Sequence, residues 1–260
     1  MVIIGEEVIA SSPLNLIFLK NYDIIYIENE KGSNEMFQLE DIERARRIVS
    51  TLTLPERFGE DENTTYDIER QLNDVIDEDF FVASGVSKAV IVVDSLPFVI
   101  KIPFNGYWDF DYEDEDGSPA FYDFTGASEY RPDNYCEYEL EKTESLKDSG
   151  YGMFVPDMEY LCDADGYAVY IQMKVQPLYE VRSTMKPSRE SMAKAKNYSL
   201  SFIKEWIALA IDFYGEEFWN SFIQWVTENE PDVLTDMHTA NYGLDFDGRP
   251  VLFDISGFRN

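Results

Sequence analysis

Two apolar triplets, Leu244-Asp245-Phe246 and Val251-Leu252-Phe253, flank Asp247-Gly248 near the end of this sequence. No other pattern in it constrains the fold as much. An Asp-Gly pair supplies the positive φ angles of a tight turn, so the segment predicts a β-hairpin. A hairpin brings its two ends together. Asn241, just before the first strand, and Asp254, just after the second, should therefore be neighbours. Asp236, one loop earlier, can reach the same cleft. Each residue alone is common in turns and caps. Together they form an oxygen-rich set of the kind a hard cation such as Mg²⁺ takes.

Composition sets the limits. The 260 residues fit one large domain or two small lobes, and 45% apolar residues with 15% aromatics suffice for a packed core. No run of about 18 uncharged apolar residues exists, so no membrane span is expected. The first twenty residues have no basic leader and carry acids, which argues against a secretory signal. Cys136 and Cys162 make no metal-ligand pattern and read as free thiols of a reducing compartment, so a cytoplasmic setting is expected. The net charge of −30 opposes nucleic acid and anionic membranes, while it permits a basic protein partner. Thirteen Asp/Glu lie between Tyr107 and Glu144, opposed only by Arg131 and Lys142. That stretch reads as a solvated acidic insert, irregular over 107–133.

Along the chain, residues 1–80 read as an α/β extension. Strands are expected in NLIFLKNYDIIYIEN, ending near Lys31-Gly32. The helical spacing of Leu39, Ile42, Ala45, Ile48 and Val49 follows, with a second helix around Tyr66–Ile76. Two apolar runs, AVIVV and FVIKIPF, surround Asp94-Ser95-Leu96-Pro97 and predict a hairpin. Before them sits a small-residue turn, Ala83-Ser84-Gly85-Val86-Ser87. Lys101 falls between Ile100 and Ile102, where an unpaired ammonium would be costly, so it needs an anionic partner or a strand edge from which to snorkel. NYCEYELEKTESLKDSG predicts a helix with Asn134 as cap and Gly150 past its end, offering Glu137, Glu139 and Glu141 as partners. A strand follows the Asp165-Gly166 turn and ends near Gln172-Met173-Lys174-Val175. Ile203, Trp206, Ile207, Ala210 and Phe213 then form one 3.6-period stripe, and Phe218, Trp219, Phe222, Ile223 and Val226 a second beyond Gly215.

The closing segment resembles the protein-kinase-like superfamily. Asp236, Asn241 and Asp254 keep the spacing of the catalytic-loop Asp, the metal-binding Asn and the second metal-binding Asp of that group. The form Asp236-Met237-His238-Thr239-Ala240-Asn241 is closer to small-molecule and atypical kinases, and to compact kinase-like proteins of bacteriophages, than to the His-Arg-Asp type. The resemblance implies an α+β, bilobal fold: a small antiparallel N-lobe sheet over 81–176 and a truncated, mainly helical C-lobe over 177–260. It makes Asp236 the catalytic base and Asn241 and Asp254 the Mg²⁺ ligands. Lys101 would hold the nucleotide phosphates, oriented by a helix glutamate. Glu139 is favoured because Leu146 falls on the inward face two turns later; Glu137 and Glu141 remain open. Gly85 and Ser87 would lie over the phosphates, and Met173, Lys174 and Val175 would form the hinge that binds adenine. His238 reads as structural.

Departures from the family pattern are also visible. Only Gly85 stands where three glycines would cover the phosphates, and Asp254-Ile255-Ser256-Gly257 replaces Asp-Phe-Gly. The sequence closes at Asn260, so no activation segment or Ala-Pro-Glu motif is expected. The expected activity is ATP- and Mg²⁺-dependent phosphoryl transfer to a hydroxyl, on a protein or a smaller acceptor. Two alternatives are a kinase-like module that binds without transfer, and an acidic protein whose surface mimics a polyanion to inhibit a partner.

Overall fold

The computed structural model describes residues 17–18, 24–25, 37–60, 63–85, 87–123, 135–178, 186–198, 203–234 and 241–256. Lys31-Gly32, Asn134, Asp236, His238 and Gly257 lie outside them. The chain divides into two compact units, Met1–Met36 and Phe37–Asn260. In the first, β1 (Ile17–Phe18) pairs antiparallel with β2 (Ile24–Ile25).

The second unit is α+β. Its main sheet contains β4 (Phe80–Ser84), β5 (Lys88–Val93), β6 (Phe98–Pro103), β9 (Met158–Ala164) and β10 (Tyr167–Met173). These run in the order β4-β5-β6-β10-β9, and every neighbouring pair is antiparallel. Local turns make the hairpins within this sheet. Asp94–Pro97 joins β5 to β6, as the apolar runs on either side require. Asp165-Gly166 joins β9 to β10 with φ of 50° and 88°, the two positive angles of a tight hairpin.

Strand alternation divides the sheet into two faces. On one face Ala89, Ile91, Val93, Phe98, Ile100 and Ile102 are fully buried. They pack with residues of α1 (Leu39–Val49) and α2 (Thr64–Leu72), so both helices share the sheet's core. The opposite face receives α3 (Tyr135–Asp148). That helix ends in a Schellman motif: Gly150 has φ of 82° and donates to the Lys147 carbonyl, and Tyr151 donates back to Leu146.

The acidic region is not irregular throughout. Its first part forms β7 (Gly106–Glu113) and β8 (Pro119–Asp123), paired antiparallel beside the short parallel strand β3 (Gly59–Glu60). Aromatics alternate with acids along β7, a strand pattern that the charge obscures. Gly117, with φ of 82°, makes the turn.

A second buried cluster is built on α4 (Arg189–Ala195), α5 (Lys204–Tyr214) and α6 (Glu216–Asn229). Gly215, with φ of 88°, separates the last two helices. Trp206 meets Trp219 edge-on at 5.4 Å, and Phe154 stacks on Phe222 at 3.9 Å, so both stripes pack in this core, apart from the half-buried Phe213. No described helix is long and apolar enough to cross a membrane.

The closing hairpin is β12 (Tyr242–Leu244) and β13 (Pro250–Leu252), with Tyr242 opposite Leu252 and Leu244 opposite Pro250. Its loop runs from Asp245 to Arg249, longer than a two-residue turn, because the Asp245 carboxylate accepts from the amides of Asp247 and Arg249 and from the Arg249 guanidinium. Strand β11 (Gln176–Pro177) completes this sheet. It crosses so close that a Cβ on Gly243 would lie 2.1 Å from the Gln176 carbonyl oxygen. Gly243→Ala is expected to cost about 1–3 kcal/mol by forcing that backbone apart. A lower urea midpoint with unchanged slope would register it, and an unchanged midpoint would refute the close approach.

Candidate functional site

The face of the sheet toward α3 carries polar groups where the other face is apolar. In the register, Val90 lies opposite Lys101, Lys88 opposite Pro103, Tyr170 opposite Lys101, and Gln172 opposite Val99. Directly opposed residues in antiparallel strands share a face. Lys88, Lys101 and Gln172 therefore project to one side, and all three are buried. Because β6 is the central strand, Lys101 has no edge from which to reach water.

Its partner is Glu139. The Lys101 ammonium lies 2.8 Å from Oε1 and 2.7 Å from Oε2 of this carboxylate. Cys136, Glu139, Lys142, Thr143 and Leu146 make the buried face of α3, while Glu141 is exposed and Glu137 half-buried. Helical spacing thus selects Glu139 from the three glutamates. The same carboxylate accepts from Gln172 Nε2 at 2.8 Å and from the backbone N–H of Asp254 at 2.7 Å, both on Oε1. Burial alone would push the Glu139 carboxyl up; the Lys101 and Lys88 ammoniums outweigh it and hold the group at about 2.

Lys88 closes the cluster. Its ammonium donates to Oδ1 of Asp254 and lies 3.4 Å from Oε2 of Glu139. Burial would lower the Lys88 pKa, but Asp254 and then Glu139 raise it well above the ordinary lysine value. This lysine escapes a reading of the sequence because it stands at the edge of the AVIVV run. Counting back through the Asp94–Pro97 turn would have placed it on the face of Lys101.

Asp254 stands two residues past the end of β13, after Phe253, and has φ of 55°, a left-handed conformation rare for a residue with a side chain. Its carboxylate is 34% exposed, while the Lys88 side chain is 3% exposed. Asn241 precedes β12 and is buried; its carbonyl accepts from the Phe253 amide at 3.0 Å. The hairpin thus brings Asn241 and the Phe253–Asp254 step side by side. Beyond Asp254, Lys142 of α3 donates to the Ser256 carbonyl at 2.7 Å.

Other expected contacts lie around this centre. Gly85 and Ser87 sit in the turn between β4 and β5, with the Gly85 amide donating to Lys88 at 3.0 Å and the Ser87 carbonyl accepting from Phe104 at 2.8 Å. Met173 ends β10, and its amide donates to Asp157 at 2.8 Å. The Lys174 amide donates to Pro97 at 3.0 Å, and its ammonium to the Val93 and Asp94 carbonyls. The N–H groups of Met173 and Lys174 are therefore engaged within the protein. The side chain of Val175 lies beside Gly243.

In sum of charge, two ammoniums meet two carboxylates, and only the Asp254 end opens to solvent. Asp254 and Asn241 offer oxygen donors that suit a hard cation, and a buried lysine held by a glutamate suits an anionic ligand. Asp236 lies outside the described residues. No protein-family model matches the chain, and no curated protein matches its sequence significantly.

Proposed function

We propose that the chain is an ATP- and Mg²⁺-dependent phosphotransferase with a kinase-like bilobal arrangement, acting on a hydroxyl acceptor, probed first as a protein. The carrying observation is the shared carboxylate of Glu139, which bonds Lys101 through its side chain and Asp254 through its backbone. It links a strand lysine to a post-hairpin aspartate. Phosphoryl transfer rests on such positioning and on compensation of phosphate charge more than on covalent help from the protein.

On this reading Lys101 holds phosphate oxygens and Glu139 orients it. Asn241 and Asp254 would hold Mg²⁺, which would supply positive charge to offset that of the phosphates. Asp236 positions the acceptor hydroxyl and takes its proton. The β4–β5 turn covers the phosphates, and Val175 follows the strand end where the base would lie.

The test is incubation with Mg²⁺ and γ-labelled ATP beside an Asp236→Ala variant. Labelled protein or released phosphate in the native chain, lost in the variant, is the expected result. A nucleotide-induced rise in melting temperature with no label in either would overturn transfer. It would favour a second reading, a kinase-like module that binds nucleotide only. One observation supports that alternative: the ammonium of Lys88 already bonds the Asp254 carboxylate.

A further inference from the structure

We infer that Lys88 is a second phosphate-holding lysine that makes divalent-cation binding and polyphosphate binding depend on each other. The inference rests on the phosphotransferase reading and assigns that site a residue outside the lysine, glutamate and aspartate roles set out above.

Glu139 is engaged mainly by other donors. Oε1 accepts from Lys101, Gln172 and the Asp254 amide, and Oε2 accepts from Lys101 at 2.7 Å against 3.4 Å from Lys88. Lys88 therefore depends chiefly on the Asp254 carboxylate. It is the first residue of β5, and its side chain is 3% exposed, so water reaches it little except at the Asp254 end. It also directly follows the Gly85–Ser87 turn, the part of the chain nearest the expected phosphates.

A cation that takes Asp254 competes with this ammonium for the same carboxylate, whose Oδ1 Lys88 already holds. The displaced Lys88 would then face a divalent cation while buried and left with only the 3.4 Å contact to Glu139, which is unfavourable. An anion arriving with the cation resolves the conflict, and a phosphate oxygen has the required charge and acceptor geometry. Metal alone should bind weakly, since it must evict Lys88. The metal–triphosphate complex should bind well, since it supplies Lys88 with a new partner.

The experiment is calorimetric titration of the full chain and of Lys88→Met with Mn²⁺ alone and with ATP·Mg²⁺. The variant is expected to bind Mn²⁺ about tenfold more tightly, because Asp254 is released, and ATP·Mg²⁺ about tenfold more weakly. Lys88→Gln removes the charge but keeps a polar donor, and it carries the same expectation should the Met variant fail to fold by circular dichroism. Unchanged ATP·Mg²⁺ affinity in both variants, or looser binding of Mn²⁺, would overturn the inference and leave Lys88 as a structural strut of Asp254. Absence of ATP·Mg²⁺ binding by the native chain would instead overturn the phosphotransferase reading itself, and that result appears before any variant is compared.

Discussion

Glu139→Ala is expected to lower the unfolding free energy by about 3–5 kcal/mol, the usual cost of leaving buried charges without their partner. For a chain of this size the melting temperature should fall by about 10 °C. The effect is large because one deletion orphans several groups: Lys101 loses both its bonds, and Gln172 and the Asp254 amide lose their acceptor. The pH dependence of the gap between native chain and variant identifies its source. The Glu139 carboxyl sits at about 2 when folded, below its ordinary 4.5, so its contribution is complete above pH 4.5 and fades as pH falls toward 2. Lys88 is shifted the other way, so its share is complete below its ordinary 10.5 and fades only above that. The gap should therefore form a plateau between those limits. A gap that stays constant down to pH 2 would show that the ion pairs are not its cause.

Asp254→Asn is expected to reduce Mg²⁺-dependent turnover by about 10²–10³-fold or more, the scale seen when one group that stabilises reacting charge is removed. Asparagine tolerates the left-handed backbone, so the exchange spares the φ of 55° and removes only the negative charge. Asp254→Ala should lose the same activity and about 1 kcal/mol more stability, from strain at that angle. Comparing both variants separates the two roles of the position. Full turnover in Asp254→Asn would remove Asp254 from the metal site.

What the sequence made legible was mostly local. The turns at Asp94–Pro97, Asp165-Gly166 and Asp247-Gly248 announce themselves because only a few residue types supply the needed backbone angles. The apolar stripes of α5 and α6, and the inward face of α3, follow from helical spacing. Neighbouring placement of Asn241 and Asp254 follows from closing one hairpin. What stayed hidden depends on register or on distant segments. Lys88 becomes visible only when two strands are aligned residue by residue. The β7–β8 hairpin was masked because acids occupy positions where a strand pattern usually shows small or branched polar residues. The amides of Met173 and Lys174 are occupied by Asp157 and Pro97, contacts that no local pattern announces.

Helix α3 grips the segment after β13 at two points, through Glu139 at the Asp254 amide and through Lys142 at the Ser256 carbonyl. These residues stand three apart on one helix face, so the segment is pinned in both position and direction. A slide of α3 along its own axis would carry Asp254 with it and pull Glu139 away from Lys101 in the same movement. The lysine and the aspartate are thus tied through one carboxylate, so a ligand that needs both depends on where a single helix holds Glu139.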